Sequence, residues 1–160
     1  MKKAYVIILF STVMWACGGG SGGGETASEE GSAPGKAAAP TSLAEAEANY
    51  KDYKGVGPVS SLELADAIDE AMATKGKEVF DMKCVACHKT EEKFIGPAPK
   101  GILDRRTPEW VMNMVLNPEE MVQKDPIAKF LLIEYNLAPM ANQSLTEEEA
   151  RAVLEYFRTL

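Results

Sequence analysis

Apolar residues are dense from Ala4 to Ala16, lose all periodicity between Gly18 and about Asn49, and return at helical spacing further on. Ile68, Met72, Val79 and Phe80 recur near the 3.6-residue period, with Asp66 placed to cap the helix they predict. Thr107-Pro108 sets a capping hydroxyl before a proline at the first helical position, predicting a helix that ends at Asn117-Pro118. Asp125-Pro126 repeats the signal for a helix to about Tyr135. Thr146-Glu147-Glu148-Glu149 is a capping box, and Val153, Tyr156, Phe157 and Leu160 share one face of the helix it opens. Lys54 to Pro58 reads as a turn, and Val59 to Leu64 alternates weakly, as a segment lying extended on the surface would. No strand-rich stretch is evident, so residues 50–160 are expected to form one all-α domain.

The segments before it carry address rather than fold. Lys2 and Lys3 followed by a short apolar run read as a signal peptide over residues 1–16, because the run falls well short of the ~20 residues a spanning helix needs. Met14-Trp15-Ala16-Cys17 resembles a bacterial lipobox, which makes Cys17 the expected lipidation site. Residues 17–49, rich in Gly, Ser, Ala, Pro and Glu, bury too little apolar surface to offset the entropy of ordering and read as a flexible tether. As a coil, such a leash has a root-mean-square span of ~30 Å.

Cys84-Val85-Ala86-Cys87-His88 carries the chemistry. This C-x-x-C-H spacing lets two thiols bond to the vinyl groups of one porphyrin while the adjacent imidazole reaches its iron, and His88 is the only histidine in the chain. A thioredoxin-like pair would follow a buried strand in an alternating strand–helix chain, and the flanks here lack that pattern. A structural zinc site needs a fourth ligand, and the remaining cysteine, Cys17, lies far away. Haem c, held through Cys84 and Cys87, is therefore the expected cofactor, with His88 on its iron.

The sixth ligand separates an electron carrier from a haem that binds exogenous ligands. With no second histidine, a thioether is the natural donor. Met82 lies too close to the motif to reach the other face, and Met112 and Met114 fall within a predicted helix. Met140, in the irregular Leu137-Ala138-Pro139-Met140-Ala141-Asn142 stretch, is the preferred donor; Met121 and an open position are the alternatives.

Residues from about Lys75 to Leu160 resemble a class I c-type cytochrome, through Gly76 and Phe80, Cys84-Cys87-His88, Gly96-Pro97, Met140 and Tyr156-Phe157. The resemblance implies crossed terminal helices that meet through Gly76 and the aromatic residues. It also implies His88 and Met140 as iron ligands and the Pro97 carbonyl as acceptor for the His88 ring N–H. Arg105, Arg106 and Trp110 are expected to bind haem propionates, and Asn142 to donate to the Met140 sulfur.

The full chain has 17 basic and 24 acidic residues, which excludes a nucleic-acid-binding role driven by charge. From Lys75 to Arg106 the balance is 8 − 5 = +3, and from Thr107 to Leu160 it is 4 − 9 = −5, a dipole suited to steering weak docking. The expectation is a monomeric, non-enzymatic carrier, lipid-anchored on the extracytoplasmic (periplasmic) side of a bacterial membrane. It would pass single electrons from a quinol-oxidising complex to a terminal oxidase or reductase. A haem peroxidase or gas sensor with a displaceable Met140 is the alternative.

Overall fold

A computed structural model of the chain describes residues 40–160, and these contain helices and connecting loops but no strand. The helices are α1 (Leu43–Ala48), α2 (Glu70–Lys83), α3 (Pro108–Leu116), α4 (Pro118–Lys124), α5 (Pro126–Glu134) and α6 (Glu147–Phe157), with 3-10 turns at Tyr50–Asp52 and Ile102–Asp104. None of the described helices is long and apolar enough to cross a membrane. The expected signal peptide and the Cys17 lipidation site lie outside the described residues.

The proline-led helices begin where the sequence signals them. Thr107 Oγ1 accepts the Trp110 N–H at 3.2 Å, and Asp125 Oδ1 accepts the Ala128 N–H at 2.9 Å, so each cap satisfies a donor the first helical turn leaves free. Pro118, expected mainly as the end of α3, also opens α4. The capping box at α6 is reciprocal, Glu149 N–H to Thr146 Oγ1 at 3.1 Å and Thr146 N–H to Glu149 Oε2 at 2.9 Å.

Two expectations are corrected. Asp69, not Asp66, caps α2: its side chain accepts the Met72 N–H, and its own N–H donates to Glu155 on α6. The Ala65 and Asp66 carbonyls accept from Arg158, which ties that stretch to α6 and leaves it outside α2. The tether also ends before residue 49. Ser42 caps α1, Ala46 is wholly buried, and α1 packs on α5.

α2 crosses α6 in the most extensive helix pairing, and α3 lies inside, its Trp110, Val111 and Met112 buried with Met121, Ile127 and Leu154. Residues 53–62 run along α3 as an extended strap. Asn113, 1 % exposed, donates to the Lys54 and Val59 carbonyls and accepts the Val59 N–H. Glu109 accepts from Lys54 and from the Leu62 N–H. The strap thus covers the outer face of α3 through polar bonds to buried side chains.

Candidate haem site

The Cys84–His88 turn closes directly on the end of α2. Cys84 N–H continues the helix by donating to Phe80, and the Cys87 and His88 N–H groups both donate back to the Cys84 carbonyl, at 3.0 and 2.9 Å. Both thiols and the imidazole therefore line one cavity, of ≈ 440 Å³. Burial pushes the Cys84 thiol up to about 11, with Lys83 opposing weakly. A thiol redox pair needs the reverse, a cysteine depressed toward neutrality, so the folded chain is poorly built for that chemistry.

His88 Nδ1 lies 2.8 Å from the Pro97 carbonyl oxygen. A carbonyl only accepts, so Nδ1 carries the hydrogen and Nε2 keeps its lone pair for a metal. Gly96 makes this possible: a Cβ there would overlap the ring at Cε1 and sit 2.8 Å from Nδ1. Gly96→Ala should therefore displace the imidazole or break its bond to Pro97. The expected outcome is a holoprotein whose low-spin visible spectrum is partly replaced by a high-spin one, measured at neutral pH.

The cavity gathers most of the predicted residues. His88, Cys84, Cys87, Pro97 and Met140 line it together, as do Arg105, Arg106 and Trp110. Met121 is fully buried elsewhere, where its sulfur accepts the Val56 N–H at 3.0 Å, so that alternative donor is removed from the site. Met140 follows a turn in which Asn136 and Leu137 take φ of 57° and 59°, the left-handed conformation that ends α5 and frees the loop. Asn142 is occupied differently from the expectation: its Oδ1 accepts the Ser144 N–H at 2.8 Å, and among the described residues it makes no bond to the Met140 sulfur.

The three expected propionate partners divide. Trp110 Nε1 donates to the buried Asp125 carboxylate at 2.9 Å, so its N–H is spent on holding α3 to α5. Arg105 donates to the Ala98, Lys100 and Gly101 carbonyls, and burial, then the adjacent Arg106 charge, pull its guanidinium below the usual value. Arg106, 2 % exposed, keeps an Nε with no partner. A buried unpaired donor is costly, and a propionate oxygen is the kind of group that would satisfy it. With an apolar lining that includes Phe80, Ile102, Leu131 and Phe157, the residues present fit a covalently held haem.

The lining also includes residues the sequence did not assign to the site, among them Leu43, Glu47, Lys93, Glu134 and Tyr135. Lys93 Nζ stands 3.5 Å from Glu134 and 4.2 Å from the Tyr135 ring centroid, joining the loop after His88 to the end of α5. Leu43 and Glu47 come from α1; the available signal was Ser42 with Glu45 three residues on, a cap pattern inside a stretch of tether composition.

This architecture, crossed helices around a pocket walled by a C-x-x-C-H turn, is that of a c-type cytochrome. The family model for cytochrome c matches residues 73–160, and the chain belongs to that family. None of the curated proteins compared with it matches. Among solved structures, the chain is 45 % identical to a cytochrome c from Rhodothermus marinus, with a TM-score of 0.62 over 64 % of this chain and 88 % of that one. An engineered form of the Rhodothermus marinus cytochrome, bound to a carbene intermediate, is 44 % identical with a TM-score of 0.59 over 64 % and 88 % of the two chains. The cofactor is thus haem c, and the function class is haem-based electron transfer.

Proposed function

We propose that this chain is a His88/Met140-ligated monohaem carrier that shuttles single electrons between a quinol-oxidising complex and a terminal oxidase or reductase. It would work from a lipid anchor at Cys17 on the extracytoplasmic face of a bacterial membrane, without catalysing a reaction of its own. The observation that carries the ligand pair is that His88 and Met140, from separate loops, line one cavity. When bound, the haem supplies a one-electron couple; the chain orients His88 through Pro97, offers a thioether from the α5–α6 loop and excludes water with apolar walls. A closed iron with fixed ligands suits rapid electron exchange, because little must move when the charge changes.

The test is a near-infrared spectrum of the oxidised protein. A weak sulfur-to-iron charge-transfer band should be present and should vanish in Met140→Ala, with a fall in reduction potential. Persistence of the band in that variant would remove Met140 as the ligand. For the anchor, Cys17→Ser should move the protein from the membrane fraction to the soluble fraction in a bacterial host that processes lipoproteins.

A second reading has a specific observation behind it. The engineered relative that holds a carbene shows that a scaffold similar to this one accommodates a small guest. If Met140 yields readily, the reduced native protein will bind carbon monoxide within minutes; a carrier with a closed iron will not.

A further inference from the structure

α1 brings a carboxylate to the haem cavity. Leu43 and Glu47 are four residues apart on one helical face, and both line the cavity. Glu45, on the same helix, faces elsewhere and accepts from Thr41. Glu47 Oε1 lies 2.8 Å from Arg106 Nη2, and this is the only carboxylate that pairs with Arg106 among the described residues. The Arg106 guanidinium also donates to the Arg105 carbonyl and stands 5.2 Å from the Trp110 ring centroid. Across the cavity wall, Lys93 is paired with Glu134, whereas Arg105 has only carbonyl partners. Among the described residues Glu47 is therefore the one carboxylate paired with Arg106, and it acts together with Asp104 on the adjacent Arg105 charge.

We propose that Glu47 is a redox-tuning residue: its carboxylate, held on Arg106 by α1, lowers the reduction potential of the haem in this cavity. The physical reason is charge. Adding an electron to the site is favoured by nearby positive groups and opposed by negative ones. Glu47 cancels part of the Arg105–Arg106 field, and partial burial keeps that cancellation from being screened away. Glu47 also fixes where the Arg106 guanidinium stands, so it sets both the size and the position of the remaining charge. The inference deepens the electron-carrier reading and rests on it only for the identity of the iron ligands.

The experiment is spectroelectrochemical titration of the holoprotein, parent against Glu47→Gln and Glu47→Asp. Glu47→Gln keeps the shape and one acceptor oxygen but removes the charge. Removing one unit charge from this partly buried wall should raise the reduced-to-oxidised ratio at fixed applied potential by about tenfold. For one electron that is ~59 mV upward. Glu47→Asp keeps the charge and should stay within about twofold of the parent. A Glu47→Gln value within twofold of the parent overturns the assignment, and so does a Glu47→Asp shift as large as that of Glu47→Gln. If Glu47→Gln accumulates poorly, Glu47→Ala, which also removes the charge, takes its place under the same twofold criterion. The sulfur-to-iron band is recorded in each sample. Its loss in Glu47→Gln alone would show an effect through ligand geometry and would also overturn the proposal. Its absence from the parent would instead count against the His/Met carrier, leaving the Glu47 comparison to stand on its own potentials.

Discussion

Gly76→Ala should destabilise the holoprotein by roughly 3 kcal/mol or more, at the upper end of what overpacking a core costs. In an exposed helix the same change would stabilise by about 1 kcal/mol, since alanine is the better helix former. The sign is reversed here by what stands opposite. A Cβ on Gly76 would overlap the Ala152 carbonyl and come within 2.9 Å of the Val153 N. Both are α6 backbone, so no side chain can swing aside, and α2 and α6 must separate instead. Separation also loosens Phe80 from Tyr156 and Phe157, whose ring centroids stand 5.5 and 5.8 Å from it. Because Cys84 caps α2, moving that helix shifts the thiol as well. Guanidinium titration of the oxidised holoprotein should show the midpoint falling sharply, with a weakened low-spin spectrum before unfolding. An unchanged midpoint would mean that the crossing is looser than the structure has it.

The crossing illustrates how far the amino-acid pattern carried. Periodicity and proline–cap pairs placed α3 and α5 within a residue or so and found the start of α6, because those signals act inside one helical turn; Leu160, read onto the α6 face, lies beyond the helix end at Phe157. The haem motif was equally legible, being a matter of covalent spacing, and its Pro97 partner followed from the resemblance to class I c-type cytochromes. The missed parts depend on partners distant in the chain. Asp69 caps α2 partly because Glu155 holds its N–H, and no local pattern distinguishes it from Asp66. α1 is only six residues long, too short to be stable alone. It exists because Ala46 is buried against the core and Glu47 pairs with Arg106. Trp110 looked like a propionate donor in sequence, but α5 supplies Asp125 to its N–H, and only tertiary placement decides which acceptor wins.

Glu155 should contribute directly to the acid sensitivity of the fold. It is fully buried, yet it accepts from the Asp69 N–H and pairs with Arg151 and Arg158. Burial opposes its ionisation, but the Asp69 bond and the two guanidinium groups outweigh it and hold the carboxyl below the ordinary glutamate value. A group whose folded value is depressed contributes stability above its unfolded value, about 4.3, and that contribution is lost as pH falls through the folded value. Removing one member of a buried charge pair costs ~3–5 kcal/mol. The lower end applies here, because Arg151 and Arg158 retain 21 % and 12 % exposure and regain some water when unpaired. Glu155→Gln should therefore lose about 3 kcal/mol at neutral pH, freeing the segment before α2 as Arg158 relaxes from the Ala65 and Asp66 carbonyls. The parent's stability should fall below about pH 4.3, whereas the variant's should fall less steeply, so that their difference narrows as the acid limit is approached. Denaturant titrations of the two holoproteins at neutral pH and at stepwise lower pH measure that convergence; parallel curves would show that Glu155 binds protons equally in the folded and unfolded chain, and would sink the assignment.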